Sequence, residues 1–302
     1  MVEPSGILII NKHTGLTSHD VVGRVRRLYN TRRVGHTGTL DPDASGVLVV
    51  LVGRAAKAAE YLVADTKRYR ATLRLGLTTD TEDASGNVLT RSEDIPERDK
   101  VEAVCQSFIG NIKQIPPMYS ALKKDGQKLC DLARLGITIE REARDITIFG
   151  LDCTPTDSNT DYILDVHCSS GTYIRTLCKD IGEALGCGGI MATLCRSEAG
   201  GFSIDKSYSI PKLEEMTEEE RISLLIPTEE LFSTLKKVAL PDFYERLCRN
   251  GCEIYQSKLR TSLAVGERVR IADKQGNFFA IGEVREYENG SAIKAIKIFD
   301  LK

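Results

Sequence analysis

The residues best equipped for chemistry lie together in Gly35-His36-Thr37-Gly38-Thr39-Leu40-Asp41-Pro42-Asp43-Ala44-Ser45-Gly46. This segment carries one imidazole, two carboxylates and several small hydroxyls between three glycines. Glycine tolerates positive φ and lets backbone approach a ligand closely. A carboxylate held in such a loop can serve as nucleophile or as general acid or base. The alternative is a solvent loop whose Asp and Ser side chains only make turns. Val47-Leu48-Val49-Val50-Leu51-Val52 follows at once, an unbroken apolar run that predicts a strand buried on both faces. A polar loop fastened to the centre of a sheet is where a rigid scaffold would position a site.

The flanking elements follow from periodicity. Residues 6–10 predict a short buried strand and 12–15 a turn. Ser18 and Asp20 are candidate N-caps for a helix through residue 29. Its apolar face is Val21, Val22, Val25, Leu28 and Tyr29; Arg24 and Arg27 lie opposite and Arg26 on the flank. With Arg32 and Arg33, five arginines fall within residues 24–33, directly before the loop. A solvated helix face and a phosphate-binding face both fit that cluster. Residues 54–62 are alanine-rich and predict a helix. Residues 67–75 alternate, with Tyr69, Ala71, Leu73 and Leu75 on one face and Arg68, Arg70, Thr72 and Arg74 on the other. Tyr69 is most simply a core residue, but it sits at the open end of that face, where a ring reaches a cleft.

Residues 78–97 are acidic and turn-rich, with Gly86-Asn87 as a hairpin signal. Asp80, Glu82 and Asp83 lack calcium-loop spacing and read as a solvated loop. Residues 101–109 predict a helix. Residues 114–148 read as an excursion from the core, with Tyr119 among Lys123, Lys124, Lys128, Arg134, Arg141 and Arg144. That composition fits nucleic-acid contact as well as a surface insertion. Residues 161–168 alternate as a strand, and 173–185 predict a helix that Gly186 stops. Arg175 lies in its first turn, on the polar side, where a cation opposes the helix dipole. An acidic partner such as Asp41 would account for it. Residues 212–225 predict a helix and 226–240 a linker. The stretches 267–271, 278–284 and 292–299 predict short strands of a small β domain.

With 302 residues, 41% of them hydrophobic and 28% charged, the chain suits one large core and a second small domain. Neither a signal peptide nor a transmembrane stretch is expected. Nine scattered cysteines, an odd number, fit reduced thiols in a cytoplasm. The net charge is −2, yet residues 1–74 hold twelve Lys/Arg against six Asp/Glu, a local +6 that leaves −8 for the rest. A basic quarter beside an acidic remainder points to a face that meets a polyanion. His167 reads as an ordinary strand residue. Cys248 and Cys252 lack a second pair at zinc spacing, and no glycine-rich stretch has P-loop or dinucleotide spacing. No metal, nucleotide or other cofactor is therefore assigned.

At residues 35–46 the sequence closely resembles the TruB family of bacterial tRNA pseudouridine synthases, which isomerise uridine-55 in the T arm. Further motifs resemble the family in order. They are Gly6-Ile-Leu-Ile-Ile-Asn-Lys12 with Gly15 and Ser18, Lys67-Arg68-Tyr69-Arg70, Pro117-Met-Tyr-Ser-Ala-Leu-Lys123 with Arg141-Glu-Ala-Arg144, and His167-Cys-Ser-Ser-Gly-Thr-Tyr-Ile-Arg175 with Asp180 and Gly186. They span residues 6 to about 205. The tail from about 240 is similar in kind to small PUA-like RNA-binding domains. His13 stands where the family usually has proline, and Cys195 where a basic residue is expected.

The resemblance implies an α+β fold, the pseudouridine synthase fold, with a mixed, largely antiparallel sheet and a central cleft. It also implies a small C-terminal β domain. The expected domains are 1–230, including an RNA-gripping insertion at 114–148, and 240–302. By the same resemblance Asp41 would be the nucleophile or essential carboxylate, Tyr69 would stack on the uracil, and Arg175 would pair with Asp41. His36 would help hold the target open, and Tyr173 and Leu194 would line the pocket. Arg32, Arg33 and Lys67 would contact RNA. The expected partner is tRNA through its T arm, with no membrane, with a monomer as the default. An RNA-binding or tRNA-folding factor without catalysis is the alternative, but it has no need of Asp41, Tyr69 and Arg175 together. A glycosidase using Asp41 and Asp43 fits poorly: the acids are too close in sequence for the usual separation, and tryptophan is absent.

Overall fold

Residues 3–61 and 66–299 are described by a computed structural model of the chain. In chain order the first half runs β1 (Gly6–Lys12), α1 (Ser18–Leu28), β2 (Val34–His36), β3 (Ser45–Val52), a 3₁₀ segment (Gly53–Tyr61), β4 (Lys67–Leu75), the hairpin β5 (Leu77–Thr79) and β6 (Val88–Arg91), α2 (Arg98–Ser107) and β7 (Gly110–Gln114). The basic excursion follows, with the hairpin β8 (Lys123–Lys124) and β9 (Gln127–Lys128) and helix α3 (Leu129–Arg134). The chain returns through β10 (Arg144–Pro155), β11 (Asp161–Cys168), α4 (Ile174–Leu185), β12 (Gly189–Ala199) and β13 (Phe202–Ser203). Then come α5 (Ile210–Glu214) and α6 (Glu218–Ser223).

One nine-stranded sheet runs β1-β3-β12-β4-β11-β10-β7, with β2 on β3 and β13 on β12. Every pairing is antiparallel except β3 with β12. The expected mixed, largely antiparallel α+β sheet is thus what forms. The unbroken apolar run in β3 is buried from Gly46 to Val52 because it has neighbours on both faces. Leu48, Val50 and Val52 pack with Leu8, Ile10, Val21 and Val25 under α1, while Val47, Val49 and Leu51 pack with Ile7, Ile9, Phe232 and Phe299. Full burial of each such side chain contributes about 1.5–3 kcal/mol, so the polar loop is anchored on a strand held firmly in the core. In β4 the alternation separates two environments. Tyr69, Ala71, Leu73 and Leu75 pack under α2 and α4, while Arg70 and Arg74 on the other face grip Asp165 and Asp161 bidentately at 2.7–2.9 Å.

A second sheet, β14-β16-β17-β18-β15, contains β14 (Lys236–Ala239), β15 (Ile254–Tyr255), β16 (Arg268–Ala272), β17 (Phe278–Tyr287) and β18 (Gly290–Ile298). Helices α7 (Asp242–Arg249) and α8 (Gln256–Leu259) join it, and Leu240, Val269, Ile271, Phe279 and Ile293 form its own core. Phe232, Phe278 and Phe299 stack where this sheet meets β1 and β3.

Several sequence expectations are corrected. The α1 N-cap is Thr17: its hydroxyl accepts from Asp20 N–H at 3.0 Å while the Asp20 carboxylate accepts from Thr17 N–H at 2.9 Å. Ser18 turns inward instead. The alanine-rich stretch is a 3₁₀ segment, and its expected end at Leu62 lies outside the described residues. Helix α2 begins three residues before the expected 101 and ends at Ser107. The single helix expected over 212–225 is two, because the Thr217 and Glu220 capping box starts α6 anew. The expected linker at 226–240 contains a 3₁₀ turn, Thr228–Phe232, and β14, which pairs in parallel with β16. Strand β12, inside the sheet between β3 and β4, has no counterpart among the expected elements. Arg144–Ile148 belongs to β10 rather than to the excursion, which therefore spans 115–143.

Candidate active site

Asp41 sits in the loop between β2 and β3, and that loop is tied down from three sides. The Ser18 hydroxyl accepts from Leu40 N–H at 2.9 Å and donates to Leu40 carbonyl at 3.1 Å. Lys12 Nζ donates to the carbonyls of His13, Leu16 and Pro42 at 2.8–3.1 Å. Burial pushes this ammonium below its ordinary value, and the nearby carboxylates of Asp41 and Asp43 oppose that. From β12, Arg196 enters with only 2% of its surface exposed. Its Nε donates to Val47 carbonyl at 2.7 Å, Nη2 to Gly38 carbonyl at 3.0 Å and Nη1 to Thr39 carbonyl at 3.4 Å. A buried charge needs such partners, and the loop carbonyls supply them.

Of the three glycines in the loop motif, Gly46 is the one whose backbone demands glycine. Its φ is +100°, and a Cβ there would lie 2.2 Å from Arg196 carbonyl oxygen. This close approach is set by the parallel pairing of β3 with β12, where Gly46 meets Arg196. Gly35 and Gly38 have room for a Cβ, with nearest atoms at 4.0 and 3.5 Å.

Arg175, placed by the first turn of α4, meets Asp41 at Nη2–Oδ2 3.0 Å. The side chain is 7% exposed, not on a solvated face, and Asp41 is 42% exposed. The same Nη2 donates to Tyr119 carbonyl at 2.8 Å. Nη1 donates to Thr81 carbonyl at 3.3 Å and lies 3.5 Å from Asp83 Oδ2. Two carboxylates thus offset the opposition of the helix dipole to a cation in the first turn. Asp83 is held in turn: its Oδ1 accepts from the hydroxyls of Thr81 and Ser85, each at 2.6 Å, and from Ser85 N–H at 3.0 Å. Glu82 accepts from the Thr176 hydroxyl at 2.7 Å and lies 3.6 Å from Lys179 Nζ. The expectation of a solvated loop therefore holds for Asp80, which is exposed and among the described residues accepts only from Asn87, and fails for Glu82 and Asp83. Glu82 and Asp83 face α4, and no local pattern in the sequence signals that.

Tyr69, 8% exposed, pairs in register with Arg196 on one side and Val166 on the other. Burial pushes its phenol above the ordinary value, against the pull of the neighbouring Arg196 guanidinium, so the ring presents a neutral hydroxyl at physiological pH. Leu194, two residues before Arg196, packs against both the β4 core and the α1 core. Tyr173 is the N-cap residue of α4, and burial raises its phenol as well. His36 ends β2; its Nδ1 accepts from Gly38 N–H at 3.3 Å, which leaves the proton on Nε2. Burial and Arg196 both push this imidazole below its ordinary value, so it is neutral near pH 7. Lys67 donates to the Ser170 hydroxyl at 3.1 Å and passes 3.7 Å from where a Gly38 Cβ would be.

Asp41, Tyr69, Arg175, Tyr173, Leu194, His36 and Lys67 thus gather around one loop. Arg32 and Arg33 do not join them. They precede β2 on an exposed surface, with Arg33 on Glu3 at 2.9 Å. Arg196, Asp83 and Lys12 complete the site. Among these, Lys12 closes the first family motif without an assigned role, and the lone arginine after the mostly apolar stretch 189–195 is the other signal the sequence offers. Among the described residues no cluster of three His, Cys, Asp or Glu could hold a metal ion. The arrangement offers an exposed carboxylate, fixed by a buried guanidinium, close to a buried aromatic ring. That suits attack on, or proton removal from, a sugar whose base stacks on the ring.

Residues 26–174 match the family described as TruB family pseudouridylate synthase (N terminal domain), and 175–233 match the tRNA pseudouridylate synthase B C-terminal domain. The chain is 42% identical over 299 residues to tRNA pseudouridine synthase B of Alkaliphilus oremlandii, covering 98% of each. It is 41% identical over 282 residues to that of Clostridium perfringens, covering 92% of this chain and 95% of the relative. A chain of the solved Cbf5-Nop10-Gar1 complex superposes with TM-score 0.73 at 25% identity, over 98% of this chain and 85% of that one. Residues that gather a carboxylate, a guanidinium and an aromatic ring, a sheet of this order and relatives alike over nearly the whole length converge on one conclusion: the chain belongs to the TruB family of pseudouridylate synthases.

Proposed function

We propose that this protein isomerises uridine-55 in the T arm of tRNA to pseudouridine, with Asp41 as the essential carboxylate. The observation that carries the reading is the Asp41–Arg175 pair at 3.0 Å, a carboxylate left accessible by a partner that is not. Among the described residues Asp41 Oδ1 has no protein donor, so a lone pair remains for substrate. The reaction breaks the N1–C1′ bond, turns the uracil and joins C5 to C1′, after which the C5 proton leaves. Asp41 either attacks C1′ to form an ester that the base later displaces, or removes the C2′ proton to give a glycal. Both routes need an oriented carboxylate with no redox step. Tyr69 stacks on the freed uracil and keeps it from diffusing while it turns, with its neutral hydroxyl near the C5 edge.

The target uridine is part of a folded arm and must leave its stack, at a cost of a few kcal/mol that ring stacking and edge contacts offset. His36, Tyr173, Leu194 and Lys67 form the surroundings that receive it. Phosphate contacts from residues 24–33 and from the insertion at 115–143 supply a salt-dependent grip. All nine cysteines are free, which suits the reducing cytoplasm where tRNA is processed.

The test uses unmodified tRNA with purified protein in chelator, followed by carbodiimide labelling and primer extension. A stop at position 55 that Asp41→Asn abolishes, with tRNA affinity kept within a few fold, is the expected result. A stop elsewhere would overturn the site selectivity. Tight binding without any stop would leave an RNA-binding role. Loss of binding in Asp41→Asn would make that residue structural.

A further inference from the structure

Gln114 ends β7 at the point where the basic insertion leaves the sheet, and only 2% of its surface is exposed. Its carboxamide faces the backbone of Tyr173. Nε2 donates to Tyr173 carbonyl at 3.0 Å, and Tyr173 N–H donates to Oε1 at 2.8 Å. A side-chain amide here pairs with a backbone amide as one strand pairs with the next. Tyr173 is the N-cap residue of α4 but makes no side-chain cap bond, so Gln114 holds the start of this helix from outside.

Two residues on, Arg175 emerges from the same turn. Its Nη2 donates to Tyr119 carbonyl at 2.8 Å and pairs ionically with Asp41 Oδ2 at 3.0 Å. Tyr119 follows Gln114 by five residues, across Pro116 and Pro117, whose rings fix φ and stiffen the link. The root of the insertion therefore holds Arg175 twice, through the helix start and through the guanidinium itself. A displacement of the insertion would shift the nitrogen that orients Asp41.

We propose that Gln114 is a positioning residue for the Asp41–Arg175 pair, transmitting the seating of insertion 115–143 to the arginine that aims the carboxylate. This inference rests on the role given to Asp41 above. Tyr173 N–H needs an acceptor, and its carbonyl, which takes Leu177 N–H at 3.0 Å, has a second lone pair for a donor; the Gln114 carboxamide supplies both at any pH. Gln114→Glu keeps the shape and the acceptor but sets a carboxylate oxygen against Tyr173 carbonyl. Protonation of that buried carboxyl restores a donor.

The experiment measures single-turnover rate, tRNA affinity and thermal melting for wild type, Gln114→Ala, Gln114→Glu and Asp41→Asn. A misaligned catalytic pair lowers rate without touching binding. At pH 7.5 both Gln114 variants should lose about 10–100-fold in rate while affinity stays within about threefold. Relative to wild type, Gln114→Glu should regain about fivefold or more between pH 7.5 and 5.5, while Gln114→Ala should not. Rates within threefold of wild type would overturn the proposal. So would a rate loss matched by lost affinity or melting with no recovery at low pH, which would make Gln114 merely structural. Should Asp41→Asn remain active, the underlying reading fails instead, whatever the Gln114 variants do.

Discussion

Arg175→Lys separates charge from geometry at the centre of the site. The guanidinium serves Asp41 Oδ2 at 3.0 Å and Tyr119 carbonyl at 2.8 Å through one nitrogen, and Thr81 carbonyl at 3.3 Å and Asp83 Oδ2 at 3.5 Å through the other. A lysine brings one nitrogen with three hydrogens on a shorter reach, so it cannot span both sides of this fork. At least one carboxylate loses its ionic partner and one of the carbonyls of Thr81 and Tyr119 loses its donor; a charge-assisted hydrogen bond of that kind contributes about 1.5–3 kcal/mol. The loss to stability is then about 1–3 kcal/mol, within a total of about 5–15, so the variant stays folded. Catalysis suffers more. Removing a preorganised electrostatic contact typically costs about 2.7–4 kcal/mol at the transition state, a factor of about 10²–10³ in rate. Because Arg175 is 7% exposed, RNA reaches little of it, and affinity should stay within about threefold. Single-turnover kinetics with enzyme in excess give the chemical step, and filter binding gives the affinity. A rate within threefold of wild type would refute the reasoning, because charge alone would then suffice. A loss confined to affinity would refute it too, by making Arg175 an RNA contact.

Two more predictions concern charge elsewhere. Burial lifts Asp180 from 3.8 to about 6, so between those values the folded protein keeps a proton that the unfolded chain has released. Stability from this group therefore falls as pH rises through that window, and the deficit is complete at pH 7. Allowing for partial exposure, Asp180→Asn should raise stability at pH 7 by about 1–2 kcal/mol, with the gain fading near pH 4. Urea unfolding at the two pH values checks this, and an equal gain at both would discard the burial argument. Reversing Arg32 and Arg33 to Glu should weaken tRNA binding and lower the slope of log affinity against log salt by about 1–2. Unchanged binding would return that cluster to a solvated face.

The parts of this protein legible in its sequence are those that local periodicity specifies. The apolar run of 47–52 belongs to a strand covered on both faces, and the alternation of 67–75 and 161–168 belongs to strands covered on one. Gly186 stops α4 in the left-handed conformation. The loop at 35–46 stood out because polar groups and glycine were concentrated beside a core strand. What only the tertiary structure decided are pairings between residues far apart in the chain. No pattern within 189–199 shows that it lies between β3 and β4, yet that placement brings Arg196 to the loop carbonyls and leaves no space for a Cβ at Gly46. Asp83 and Glu82 read as loop acids because nothing adjacent needs them; α4, packed against them, supplies Arg175, Thr176 and Lys179. Helical periodicity puts Arg175 on the polar side of α4 with Asp41 as its candidate partner, but it does not show that the side chain is buried. It is buried because Asp41, Asp83 and two backbone carbonyls from separate segments converge on it, and a charge can leave water only where such partners meet.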